Sequence, residues 1–395
     1  MTGNDAIMRP MTGYRVLDFT QNVAGPLAGQ IMADLGAEVI KIEPPRGEAA
    51  RHIVATCTGS GELAPYFVPY NRGKRSLVVD MHTAEGIETI LDLVETTDVL
   101  LDGFRPGTME KWGLSRDAVH ERNPRCVYAS LSAYGGNGPF GSRPGIDLLL
   151  QAESGMWTGL TTDQGTPMRI PFTLVDASTG HVLAQAILAA LLHRERHGAA
   201  TDVDVAMYDV AVSLQANRLT ASLNRATTGT PHAATRRTGA QKPTSPFSTS
   251  PSGIYRASDG HLVLAAYIPK HWAQLIKVLG CEHLGDDPRF TDQHQRAVND
   301  AALTEELERI FSTYAASDLV KRLQESGLMA TEVKTGTEVV ASDLFLENDL
   351  KVVTTDGTRT EKTVRTPARY SAFPPGATAP TPILGEYSAE AVPTR

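Results

Sequence analysis

The sequence predicts an α/β fold: a parallel sheet with helices on both faces, followed by a smaller second unit. Three observations carry this. Strand and helix patterns alternate through the first 150 residues; that order builds βαβ units. Two long helical patterns follow and close the first half. Beyond them a hairpin signal opens a new run of elements. Hydrophobic residues make up 41% and charged residues 21% of the 395 positions, as in ordinary soluble enzymes.

In order, Val16–Phe19 reads as a short strand, and Gly25 to Gly36 as a helix with Leu27, Ile31 and Leu35 on one face. Val39–Ile42 and Ser76–Asp80 are strands. Ala84 to Val94 is helical through Ile87, Ile90, Leu91 and Val94. Asp98–Leu101 and Cys126–Ala129 are further strands. The long helices are expected at about Ala177–Arg196 and Thr201–Asn224. The stretch 226–252 is rich in Thr, Ser, Pro and Gly, and reads equally as a linker or an active-site loop. Gly253–Arg256 and His261–Leu264 flank Ser258-Asp259-Gly260 as a hairpin. Helices are expected at Trp272–Leu279 and Ala301–Tyr314. From Thr363 onward, six of the 24 prolines imply an extended wrap.

Net charge is −8, which argues against a nucleic-acid partner. No run of 18 apolar residues predicts a membrane span, and the first ten residues lack the apolar core of a secretory signal. Cys57, Cys126 and Cys281 are scattered, with no CxxC pair, so a reducing cytoplasm is expected. No metal signature is present. Val23-Ala24-Gly25-Pro26-Leu27-Ala28-Gly29 follows the first strand in place of a dinucleotide fingerprint, and a P-loop is absent. Cations nonetheless cluster near strand ends. Arg46 and Arg51 follow the second strand; Arg72, Lys74 and Arg75 precede the third. Arg105 and Lys111 follow the fourth, and Arg143 the fifth. Together they suggest a ligand bearing several phosphates, each residue being equally readable as a solvated loop charge.

The stretch Pro171-Phe172-Thr173-Leu174-Val175-Asp176-Ala177-Ser178-Thr179-Gly180-His181 places one carboxylate where an apolar run, read as a strand, meets a helix. Asp176 reads either as an N-cap or as a nucleophile. Unpaired N–H groups at that helix start are candidate oxyanion donors.

Several segments together resemble the class III CoA-transferase family, which includes formyl-CoA and carnitine-CoA transferases and α-methylacyl-CoA racemase. They are Arg15–Phe19 with Ala24-Gly25-Pro26, Ala33–Pro45, Asn71–Ser76, Phe104-Arg105-Pro106-Gly107, Tyr134-Gly135 with Gly138-Pro139, Gly145-Ile146-Asp147, Val175-Asp176, Ala189–Glu195, Asp259-Gly260, Asp287–Phe290 and Leu384-Gly385-Glu386. The resemblance implies a Rossmann-like large domain, a smaller α+β domain and an interlocked homodimer. It divides the chain into 1–225, a linker or loop at 226–252, a small domain at 253–332 and a return segment at 333–395. It implies acyl-CoA and a small carboxylic acid as substrates, with no prosthetic group. Asp176 takes the catalytic position and Tyr66 matches an active-site tyrosine. CoA contacts fall on Val23, Ala24, Arg51, Gly103, Phe104, Arg105, Lys111 and Arg143, with Arg46 and Arg75 added from the cation pattern. Gly103 stands where relatives carry Asn, and no GGGGQ-type loop is present.

A racemase of this family needs a histidine in Gly-His-Asp and a glutamate before a Pro-Lys-like pair. This chain has Ile146 and Ile268 there, and isoleucine transfers no proton. The expected activity is therefore acyl-CoA:carboxylate CoA transfer. A racemase with other proton carriers and a non-catalytic CoA-binding homologue are the alternatives.

Overall fold

A computed structural model describes residues 8–53, 64–136, 138–158, 160, 162, 164–226, 250–374, 376 and 379–391. Most of the 226–252 segment therefore lies outside the described residues. The chain folds as two compact units: Met1–Thr158 with Met168–Ala233 and Glu347–Arg395, and Gly159–Pro167 with Ala234–Leu346.

The first unit runs β1 (Arg15–Asp18), α1 (Ala24–Asp34), β2 (Glu38–Glu43), α2 (Val68–Asn71), β3 (Arg75–Val78), α3 (Ala84–Val94), β4 (Val99–Asp102), α4 (Thr108–Lys111), α5 (Arg116–Arg122), β5 (Val127–Ser132), α6 (Asp147–Glu153), α7 (Leu174–His197), β6 (Val203–Ala206), α8 (Met207–Ser213) and α9 (Ala216–Ala226). The six strands form one parallel sheet, ordered β3-β2-β1-β4-β5-β6. Strand alternation divides the core. Val16, Val39, Val99, Leu101, Val127 and Ala129 face one cluster with Leu183 and Ile187 of α7. Leu17, Ile40, Ile42, Leu100 and Tyr128 face another with Ile90, Leu93 and Val94 of α3. Strand order reverses between β1 and β4. Their carboxyl ends frame the crevice where sheets of this kind bind ligands.

Two expectations are corrected. The helix expected over Thr201–Asn224 is a strand followed by two shorter helices. Val203 and Val205 alternate with Asp202 and Asp204; those carboxylates turn out to His120 and Arg116, so the segment completes the sheet edge instead of coiling. The strand expected before Asp176 does not form. Pro171 and Phe172 are exposed and find no ladder partner, and α7 already begins at Leu174.

α7 has 24 residues and is long and apolar enough to cross a membrane by length and composition alone. No uninterrupted apolar run produces this. Here it packs along the sheet, burying Val175, Leu183, Ala184, Ile187 and Leu191. Its contact with α1 is close: a methyl group at Gly180 would lie 2.6 Å from the Ala24 carbonyl oxygen and 2.8 Å from Leu27 Cβ. Gly180→Ala is therefore expected to destabilise the unit by about 1–3 kcal/mol, because backbone must move. Helix propensity alone favours alanine by about 1 kcal/mol. A urea midpoint at or above that of the parent would refute the close approach.

The second unit contains β7 (Ser252–Arg256), β8 (His261–Ala265), α10 (Pro269–Leu279), α11 (His283–Asp286), α12 (Gln293–Val298), α13 (Asp300–Phe311), α14 (Ala316–Glu325), β9 (Met329–Glu332), α15 (Gly336–Ala341) and the start of α16 (Asp343–Glu347). Its three antiparallel strands enclose a separate core around Tyr255, Leu264, Trp272, Leu275, Phe290, Leu307 and Phe311. The return begins at Glu347. The hairpin β10 (Lys351–Thr355) and β11 (Thr360–Val364) leads into an extended run, as the prolines predict. Tyr387 N–H donates to the Ser76 carbonyl (3.0 Å), and its hydroxyl donates to Glu38 Oε1 (3.2 Å).

Candidate active site around Asp176

Asp176 is the third residue of α7, not its cap. Thr173 precedes the helix and makes no side-chain cap bond. The cap comes from elsewhere: Asp147 Oδ2 accepts the N–H groups of Val175 (2.7 Å) and Asp176 (3.0 Å). The other first-turn donors are also engaged. Leu174 N–H donates to Phe172 O (2.8 Å) and Ala177 N–H to Thr173 O (2.9 Å). The helix start therefore offers no open oxyanion donors, contrary to the sequence expectation.

Asp147 opens α6 and is itself held. Gln151 Nε2 donates to Asp147 Oδ1 (2.5 Å) and to Phe172 O (3.2 Å). Gln151 Oε1 accepts Trp157 Nε1 (3.0 Å) and Ile170 N–H (3.2 Å). This buried glutamine clamps the segment that leads into α7.

No group among the described residues donates a hydrogen bond to the Asp176 carboxylate. Burial, and then the neighbouring Asp147 charge, push its pKa up to about 7. Tyr70 of α2 faces it. The phenol interacts with the Thr173 side chain and the Asp176 charge, and burial raises its pKa, so it stays protonated. Tyr66, four residues earlier and half exposed, lies beside Tyr70. The resemblance points to Tyr66, whereas Tyr70 beside Asp176 emerges only from the fold; its place four residues after Tyr66 was the available signal.

Val23 and Ala24 enter α1, both buried. They lie between the β1/β4 crevice and the α7 contact at Gly180. Across the crevice, a Cβ at Gly103 would come within 3.2–3.4 Å of Thr20 atoms, so the β1 and β4 loops touch. Phe104 N–H donates to Asp102 Oδ1 (2.8 Å), and its ring meets Trp112 edge-on at 5.0 Å. Burial pushes Asp102 up to about 6.

The cations divide. Arg46, Arg105 and Lys111 are exposed on or beside the loops after β2 and β4. Arg143 pairs with Glu153 (2.7 Å) and lies 4.7 Å over the Tyr134 ring. Arg51 is a strut: Nε and Nη2 donate to Glu43 (2.7 and 2.6 Å), Nη1 donates to Pro382 O (3.0 Å), and the guanidinium stacks 4.0 Å from Phe67. Arg75 lies apart from the others. It begins β3, with Glu38 at 3.9 Å and the Tyr387 ring at 4.7 Å, which puts it at the amino end of the sheet. Among the described residues no cluster of three or more His, Cys, Asp or Glu has metal-binding geometry.

The model of CoA-transferase family III matches residues 11–388. A Mycobacterium tuberculosis protein named "Probable fatty acyl-CoA transferase Rv3272" is 52% identical over 388 residues, 98% of each chain. Its orthorhombic crystal structure superposes with a TM-score of 0.85 at 51% identity, covering 96% of this chain and 98% of that one. The succinate–glutarate CoA-transferase of Agrobacterium fabrum is 31% identical over 392 residues, 96% of this chain and 94% of its own. A Brucella suis CAIB/BAIF family protein superposes with a TM-score of 0.83 at 30% identity, covering 96% and 97%. With a parallel sheet open at the β1/β4 crevice and a nearly full-length match, the chain belongs to CoA-transferase family III.

Proposed function

We propose that this CoA-transferase works through covalent catalysis by Asp176. The ionised carboxylate attacks the acyl carbonyl, and the thioester C–S bond breaks to release CoA thiolate, leaving a mixed anhydride. The thiolate then attacks the Asp176 carbonyl and expels the donor acid. This gives an aspartyl-CoA thioester. An acceptor carboxylate reverses both steps, yielding the new acyl-CoA and free Asp176.

The observation that carries this reading is an Asp176 carboxylate without donors among the described residues, its pKa pushed up to about 7. A carboxylate near pKa 4 expelling a thiolate near 8.5 works uphill by roughly 6 kcal/mol. At about 7 the same basicity gap is roughly 2 kcal/mol. Ile146 and Ile268, both exposed and unable to carry a proton, support transfer over racemisation.

CoA is proposed to enter the β1/β4 crevice past Val23, Ala24, Gly103 and Phe104, its phosphates meeting Arg46, Arg105 and Lys111. Arg143 joins them by leaving Glu153. Arg51 supports the crevice through Glu43 instead of reaching the ligand with a free guanidinium. Val339, Val340, Leu344 and Leu346, exposed on α15 and α16, support a homodimer as the working form.

The test is peptide mass spectrometry after incubation with fatty acyl-CoA and succinyl-CoA donors, with and without hydroxylamine. CoA bound to the Asp176 peptide, converted to a hydroxamate by hydroxylamine, is expected. Turnover without modification of that peptide would overturn the covalent route.

A further inference from the structure

The residue that caps α7 shares the site with the residue that would perform the chemistry. An aspartate in the first helical turn ordinarily gains from the unpaired N–H groups and positive end of its own helix, which lower its basicity. Asp176 has neither benefit, because Asp147 Oδ2 holds the N–H groups of both Val175 and Asp176. Asp147 is fixed there by the buried Gln151.

We infer that Asp147 is a positioning residue: it fills the anion seat at the start of α7, so that the Asp176 carboxylate is turned away from its own helix, without donors, toward the substrate. The inference rests on the proposed nucleophilic role of Asp176. Two effects act together. The occupied amides cannot solvate Asp176, and the fixed Asp147 charge opposes its ionisation. The result is a more basic and more nucleophilic carboxylate.

Other titratable groups on the elements packed against α7 are distant or already engaged. Asp34, at the far end of α1, pairs with Arg72 (2.5 Å). Glu153 of α6 pairs with Arg143 (2.7 Å). Asp204 of β6 pairs with Arg116, and the Tyr128 hydroxyl of β5 donates to Leu114 O (3.3 Å). Among the described residues, the charged neighbour that acts on Asp176 is Asp147. Tyr70 of α2 faces it as a neutral phenol.

The experiment uses full-length Asp147→Asn, which keeps an acceptor but removes the charge, and Asp147→Ser as a second neutral cap. The pH dependence of the first half-reaction, CoA release in the presence of hydroxylamine, is expected to show an acidic limb near 7 in the parent enzyme that shifts in these variants. That limb should move down by about one pH unit, with roughly a tenfold lower plateau and a KM within about twofold. A cap with only a structural role would lower the melting temperature or raise KM and leave the limb in place.

A second readout does not require activity. A double-mutant cycle of Asp147→Asn with Asp176→Asn, measured by urea unfolding, should show coupling at pH 8.5 and none at pH 5, where Asp176 is protonated. An unmoved acidic limb, or absence of coupling at pH 8.5, overturns the inference. Absence of an Asp176 hydroxamate in the parent enzyme overturns the nucleophile reading alone, and the unfolding cycle still decides the role of Asp147.

Discussion

Asp176→Asn is expected to abolish CoA transfer, by at least about a thousandfold, while CoA affinity stays within about threefold. The proposed CoA contacts lie on α1, on α4 and on the loops after β1, β2, β4 and β5, and the substitution leaves them intact. Asp176→Ala serves as the control, since it cannot hydrolyse back to the acid. The same change should also stabilise the protein at alkaline pH. In the folded state the carboxyl titrates at about 7, against an ordinary value of 3.8. Below about pH 4 it is protonated in both folded and unfolded chains and has no effect. Between pH 4 and 7 the unfolded chain ionises first, so the acid costs stability progressively, and above 7 the cost is complete. The full difference is at most about 4 kcal/mol, and the water that reaches this half-buried group reduces it. A gain of about 1–3 kcal/mol for Asp176→Asn at pH 8, vanishing toward pH 4, is therefore expected in urea titrations. A parent enzyme equally stable at both pH values would show that Asp176 titrates normally.

Lys74→Met should have the largest structural effect. Lys74 is fully buried, and its ammonium donates to Asp18 Oδ2 (2.7 Å), the Pro26 carbonyl (2.8 Å) and Asn71 Oδ1 (2.9 Å). Asp18 is equally buried and also accepts the N–H and hydroxyl of Thr20. Burial would raise the Asp18 pKa, but Lys74 and Lys41 together hold it below the usual carboxylate range. Methionine fills the volume and leaves that carboxylate without its principal partner. The expected loss is about 3–5 kcal/mol, or roughly 10 °C in melting temperature for a unit of this size. Because Thr20 lies on the loop leading to Val23 and Ala24, CoA affinity should fall as well. Asp18→Asn added to Lys74→Met should recover part of the stability, since the uncompensated charge is then gone. A single variant melting within 2 °C of the parent would show, roughly, that the pair is dispensable.

The sheet was legible because each strand from β1 to β5 carries hydrophobic residues in period two or in short unbroken runs between helix signals. α3 was readable to its ends, with Thr83 capping it through Gly86 N–H (3.0 Å). β6 was not legible. Four residues with one alternation look like the start of a helix until the rest of the sheet exists to pair with them. Asp176 stands out in the sequence because it ends an apolar run, but its surroundings were hidden. The cap of its helix comes from Asp147, 28 residues before Val175, and no local pattern encodes so distant a partner. Arg51 illustrates the same limit. Its loop was read correctly at the end of β2, yet whether its guanidinium is free depends on Glu43 and Pro382, which only the folded chain brings to it.

The return segment has a consequence for how the protein is made. Tyr387 pairs with β3 beside Leu77 and is buried against the sheet, and Thr366 donates to Asp34 at the end of α1. A chain still emerging from the ribosome can form the second unit from its own local contacts. It cannot cover the outer edge of the parallel sheet until Tyr387 has been synthesised. The outer side of β3 stays open until then. Arg75, the exposed first residue of β3, puts a charge on the waiting edge and makes it a poorer template for wrong pairing.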